Sequence, residues 1–296
     1  MKKQIKCIVT GCSGFVSHHL IKECQDRGWY VIGVDKRPIP KGHSRPDLFL
    51  LTDVSDLGFK DLLDVDYVFH LAWRTNIPDC QRHPIESTKD NIDMSIHLME
   101  YAKEAKVKKF LFPSTASLYG HNPTPWTEDM SCDPIEPYSW QKMAIEYACL
   151  MYAKSYGLPT VRFRFFQVFG EFSREDNAIS VFLKKKRENK PINLVQTVKE
   201  GQAGERDFIY AGDISKALCL LAESDVGNGE LFNVATGTFN NMKEIADTIG
   251  NDILWAPRRE YEVERHLADI SKIEALGWSP KVNVIDWLKK YVKENL

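Results

Sequence analysis

The stretch "KCIVTGCSGFVSHHL", residues 6–20, constrains the fold more than any other. A short β-branched run ends in Gly11, Gly14 follows three positions later, and a helical pattern starts at once. Glycines there permit a tight turn and close backbone approach, while the helix start offers free N–H groups and partial positive charge to a phosphate. An acidic residue, Asp35, ends the next strand-like run, "YVIGVD", twenty-one positions beyond Gly14. A carboxylate at that place accepts hydrogen bonds from an adenosine ribose and repels a 2′-phosphate. Two glycines alone are weak; strand, turn, helix, strand and acid together predict a dinucleotide site.

The alternation continues. "DYVFHLA", "KFLFPS" and "TVRFRFF" read as strands, and "NIDMSIHLMEYAKEAKV" and "YSWQKMAIEYACLMYAKSYG" as helices, the latter stopped by Gly157 and Pro159. Strands alternating with helices predict an α/β fold of the Rossmann type, a doubly wound parallel sheet covered on both faces. After Gly170 the rhythm loosens, although "GERDFIYAGDISKALCLLAE" returns to it. The expected organisation is a nucleotide-binding domain over 1–170, rejoined by the chain around 205–235, and a smaller mixed substrate lobe over 171–296.

With 296 residues, 43% hydrophobic and 27% charged, the chain can bury a sizeable core. A net charge of −2 gives no basic field for nucleic acid. The run Lys184, Lys185, Lys186, Arg187 reads as the solvated face of a helix. Seven cysteines without a CxxC pair fit a reducing compartment, and no segment is long and apolar enough to span a bilayer. A cytoplasmic location is expected. His18, His19, His43 and His121 lack partners at ligand spacing, so no metal is expected.

"YSWQK" sets Tyr138 and Lys142 four apart at the start of a predicted helix, on one face. A phenol of pKa about 10 is a poor base at neutral pH. An ammonium one turn away favours the phenolate, which can then take a proton from a substrate hydroxyl as hydride leaves the same carbon. "FLFPSTASLYG" offers Ser114, Thr115 and Ser117 at a strand end to hold that oxygen. The pair taken alone also fits an ordinary surface contact; it gains weight from the dinucleotide pattern before it.

These motifs carry a resemblance. "TGCSGFV", "VFHLAW", "STASLYG", "YSWQK", "RFRFFQVFG", "GERDFIYAGD", "LFNVATG" and "LADISKIEALGWSP" are similar, in order, to the TGxxGFI, VFHLAA, SSxxVYG, YxxxK, LRYFNVYG, RDFIYVDD, YNVGTG and ADxSKxxxxLGWxP elements of extended short-chain dehydrogenase/reductases, nucleotide-sugar epimerase and dehydratase branch. The resemblance implies Tyr138 as base, Lys142 as its partner on the nicotinamide ribose, and Thr115 as the catalytic hydroxyl. It implies cofactor contacts at Gly11, Gly14, Phe15, Val16, Asp35, Asp53, Val54, Leu71, Ala72, Trp73 and Phe166. Lys36 and Arg37 follow Asp35 and leave NADP open, although Asp35 favours NAD. Substrate contacts are implied at Thr75, Thr115, Gln167 and Arg206, the last on a nucleotide diphosphate. A homodimer through the helices around 91–106 and 138–156 is also implied.

The chain departs from the pattern at Ser17 for the third glycine, Trp73 for a small residue, Gln167 for an asparagine, and "REYEVER" for an RPGEV-like loop. Dehydratases of this branch carry Asp-Glu directly after the threonine, and this chain has Ala116 and Ser117. The expected activity is therefore NAD-dependent 4-epimerisation of a nucleotide-sugar. The alternatives are a C4 dehydrogenase or ketoreductase on the same substrates, a reductase of a non-sugar carbonyl, and an NAD-sensing regulator, which would be expected to lose the Tyr/Lys pair.

Overall fold

The computed structural model describes residues 3–258 and 263–296. The chain opens with β1 (Lys6–Thr10), α1 (Phe15–Asp26), β2 (Tyr30–Asp35), β3 (Leu48–Leu51) and β4 (Tyr67–His70). Short helices α2 (Ile77–Arg82) and α3 (Pro84–Thr88) lead through a π-helical turn, Lys89–Asp93, into α4 (Met94–Glu104). Then come β5 (Lys109–Thr115), α5 (Pro137–Tyr156) and β6 (Thr160–Phe165). Gly157, left-handed at φ +68, ends α5.

The second part begins with β7 (Gln167–Phe169), α6 (Ala178–Arg187), β8 (Ile192–Val195), β9 (Glu205–Arg206) and β10 (Phe208–Tyr210). It continues with α7 (Ala211–Glu223), β11 (Asn228–Val234), β12 (Asn240–Asn241), α8 (Met242–Ile249), β13 (Ile253–Ala256), α9 (Ser271–Glu274) and α10 (Val284–Asn295).

Seven strands form one parallel sheet in the order β11-β6-β5-β4-β1-β2-β3. The period of two sorts its residues between two cores. Val9, Phe69, Leu111 and Phe163 face a cluster with Leu20 and Ile21 of α1 and Ile214 and Leu218 of α7. Ile8, Val68, Phe110 and Phe112 face the opposite cluster, with Leu98 and Met99 of α4 and Ile145 and Cys149 of α5. Both faces are covered, which is why these strands read as continuous apolar runs. The first part of the chain leaves the sheet at Phe165, and the second part returns to add β11 as its edge strand and α7 on one face.

A third cluster, with Phe169, Phe182, Leu194, Phe208, Ile245 and Leu288, holds the C-terminal lobe together. In the main sheet the chain leaves β1 for β2 on one side and returns to β4 on the other. That reversal opens a crevice at the carboxyl ends of β1 and β4, where every candidate catalytic element arrives.

Candidate active site

Gly11 sits at φ +68, and a Cβ there would lie 2.8 Å from Ala72 N and Cα. The turn can therefore lie against the end of β4 only as glycine. Gly14, where a Cβ would be 3.0 Å from Gly11 O, precedes α1 and offers no side-chain cap to its first turn. The N–H groups of Phe15, Val16 and Ser17 are thus left without a side-chain cap, a helix N-terminus suited to a diphosphate. Ser17 fits despite its side chain: buried, it donates a 2.8 Å hydrogen bond from Oγ to Gly11 O, tying the helix to the turn.

Asp35 is buried at the end of β2 and accepts from Ser13 N (3.1 Å) and Arg37 N (2.9 Å). An ionised carboxylate offers about four acceptor sites, so capacity remains for a ribose. Lys36 pairs with Asp53 at 3.1 Å and Arg37 Nε with Asp35 at 3.4 Å. Asp53 caps the turn after β3 through Ser55 N, with Val54 buried behind it. Leu71 and Ala72 follow β4, and Ala72 N donates to Thr10 Oγ1 at 3.1 Å.

Tyr138 lies in the first turn of α5. The turn is set by Glu136, whose carboxylate accepts from Tyr138 N and Ser139 N. Burial pushes the Tyr138 phenol up to about 12, with the Thr115 hydroxyl and Arg174 acting in the opposite direction. Desolvation is the largest influence on the phenol in this structure. Lys142 Nζ donates to Pro113 O at 2.6 Å and lies 3.8 Å from the Trp73 ring centre. Burial lowers the ammonium's own pKa well below its usual value. Thr115 ends β5, accepting from Ser117 N at 3.2 Å, and beside it the buried Ser114 Oγ has no partner among the described residues.

On the substrate side, Thr75 is exposed and its hydroxyl accepts from Arg174 Nη1. Arg174 also pairs with Asp176, which Asn76 holds at 3.1 Å, so the segment after β7 is latched across the loop after β4. Gln167 starts β7, exposed. Phe166 is buried against Trp126 (5.8 Å) and Tyr119 (6.3 Å), tilted to both rings. Arg206 Nη1 donates to Glu264 O at 2.9 Å and Glu205 O at 3.0 Å. The "REYEVER" departure lies partly outside the described residues.

Sequence reasoning missed Glu136, Arg174 and the pair Asn91–Gln141. Asn91 Nδ2 donates to Gln141 Oε1 at 2.8 Å and Asn91 Oδ1 accepts from Arg74 N, joining the π-helical turn to α5. Such turns recur at functional sites, but no spacing rule marks them. Glu is not a favoured cap residue, so the rules for Ser, Thr, Asp and Asn pass over Glu136. Among the described residues no group of three or more His, Cys, Asp and Glu could hold a metal ion, and no helix is long and apolar enough to cross a membrane.

Residues 7–235, from β1 to the end of β11, match the NAD dependent epimerase/dehydratase family. The chain belongs to that family. Similar relatives share its full extent. A UDP-glucuronate 4-epimerase of Thermodesulfobacterium geofontis is 28% identical, over 98% of this chain and 96% of its own. The UDP-N-acetylglucosamine 4-epimerase of Methanobrevibacter ruminantium, solved with UDP-N-acetylmuramic acid, is 29% identical with a TM-score of 0.88 over 98% of both chains. The UDP-glucuronic acid 4-epimerase of Bacillus cereus, solved with UDP-glucuronic acid and NAD, is 27% identical with a TM-score of 0.87, over 99% of this chain and 100% of that one. The seven-stranded sheet lies within the fold shared with that M. ruminantium enzyme.

Proposed function

We propose that this protein is an NAD-dependent nucleotide-sugar 4-epimerase with Tyr138 as the acid–base group. The observation that supports the reading is the Thr115 hydroxyl in hydrogen-bond contact with the Tyr138 phenol, with Lys142 one turn along the same helix, in a chain where Ala116 and Ser117 follow Thr115. The crevice fits a dinucleotide: the space at Gly11 and Gly14 would be filled by a Cβ, and Ser114 Oγ is a buried polar atom without a partner among the described residues.

Bound NAD would supply a reversible hydride acceptor. The α1 N-terminus would hold its diphosphate, Asp35 its adenosine ribose and Lys142 its second ribose. Thr115 Oγ1 would hold the C4 oxygen of the sugar while Tyr138 takes that hydroxyl's proton and later returns one to the same oxygen. A proton shuttle at one oxygen needs a single titrating group. Loss of water from the sugar needs a second acid and base, and neither Ala116 nor Ser117 can act as one near neutral pH.

Thr75, Gln167 and Arg206 are the proposed substrate contacts, with UDP first among nucleotides because the similar relatives are named for UDP-sugars. The test incubates the enzyme with UDP-, GDP-, dTDP- and CDP-sugars and reads products by NMR. Inversion at C4 with no net cofactor reduction is expected. A 4-keto-6-deoxy product would overturn the reading, and NADH accumulating with a keto-sugar would favour the dehydrogenase. We also propose a homodimer in a reducing cytoplasm. Trp140, Tyr147 and Met151 of α5 are exposed, and all seven cysteines are free thiols. Light scattering at micromolar concentration checks the mass.

A further inference from the structure

Three elements converge on Lys142. Its side chain comes from α5, Phe112 and Pro113 come from β5, and Trp73 follows the end of β4. Among the described residues Nζ has one oxygen acceptor, Pro113 O at 2.6 Å. It lies over two rings, 3.8 Å from the centre of Trp73 and 4.6 Å from that of Phe112. The two rings meet edge to face at 5.5 Å and 62°. The indole is not oriented by its own hydrogen bond, because the buried Trp73 Nε1 finds no acceptor among the described residues. It packs on Lys142, Phe112 and, edge to face at 6.5 Å, His70.

We infer that Trp73 is a positioning residue for Lys142, its indole face holding the ammonium in place and in its charged form. The inference rests on the catalytic reading of Lys142 given above. A buried ammonium is disfavoured by desolvation, and the negative face of an aromatic ring opposes that effect most strongly where water is excluded. A small residue at position 73, as in the VFHLAA element, has no face to offer.

The charged and titratable surroundings of Lys142 are few. Glu146, one turn along α5, and Cys149 favour the cation, but Glu146 is already engaged by Arg164 of β6 at 2.8 Å. His70 of β4 faces Lys142 and is held neutral, bridging Thr10 and Ser95. Tyr138 lies one turn before on the same helix. Of the two uncharged rings beside the ammonium, Trp73 is the nearer, at 3.8 Å against 4.6 Å for Phe112.

The test compares Trp73→Leu with Trp73→Phe, reading the Lys142 side chain by 13C NMR and the pH profile of kcat. Trp73→Leu should lower the Lys142 pKa by about one unit and move the alkaline limb of kcat down with it. Trp73→Phe, which keeps a ring, should restore most of both. A Lys142 pKa unchanged or raised in Trp73→Leu, or equal effects of the two variants on rate with no pH shift, overturns the inference. Lys142→Met separates the two claims: full turnover in that variant sinks the catalytic reading, while the NMR shift still decides the contact.

Discussion

The Glu136 carboxylate accepts a 2.7 Å hydrogen bond from the backbone N–H of Tyr138. Its other oxygen accepts from Ser139 N at 2.9 Å, and Ser139 Oγ donates back to Glu136 O. The residue proposed as base is therefore fixed in the first turn of α5 by the side chain two positions before it.

Replacing Glu136 by Ala removes this cap. A loss of about 1 kcal/mol in unfolding free energy is expected, the usual worth of an N-cap, with a fall in kcat because the first turn frays around Tyr138. Urea denaturation and steady-state kinetics read the two effects. Unchanged kcat alongside the stability loss would separate the cap from catalysis.

Tyr138→Phe should reduce kcat by roughly 10²–10⁴-fold, the range for a positioned general base, and leave NAD affinity close to that of the parent. The phenol's high pKa in this structure adds a direction: activity should rise with pH on the acid limb as the phenolate forms. A kcat independent of pH over that range argues against Tyr138 as the titrating base.

Asp35 should make NAD bind better than NADP, since a buried carboxylate repels a 2′-phosphate. Lys36 and Arg37 are engaged by Asp53 and Asp35. Asp35→Asn should narrow the preference by roughly 10–100-fold, about 1.4–2.8 kcal/mol. Cofactor titration by fluorescence checks it, and tighter NADP binding in the parent protein would assign the choice to Lys36 and Arg37.

Stability should fall in mild acid because of buried histidines. Burial, with Lys142 nearby, pushes His70 down to about 3. Native His70 stays neutral where the unfolded chain, with an ordinary value near 6.5, takes up a proton. Its contribution is therefore complete above about pH 6.5 and is lost progressively as pH falls toward 3. His70→Gln should make the slope of unfolding free energy between pH 6 and 4 shallower by about 1.4 kcal/mol per pH unit. Guanidinium denaturation at several pH values measures it.

The glycine turn, the parallel sheet and the Tyr–Lys spacing were legible in the residues alone because each depends on local geometry. A left-handed Gly11, a strand buried on both faces and a helical i, i+4 pair are properties of short stretches of chain. What Lys142 and Tyr138 meet is not local. Trp73, Phe112 and Pro113 reach Lys142 from one strand and from the loop after its neighbour, and at Tyr138 burial is the largest influence on the phenol's pKa. Arg174 reaches Thr75 across 99 positions, a contact that no pattern along the chain encodes. Short-range sterics determined the elements and their order; desolvation and long-range packing, which exist only once the sheet has closed over its helices, decided the electrostatics of the site.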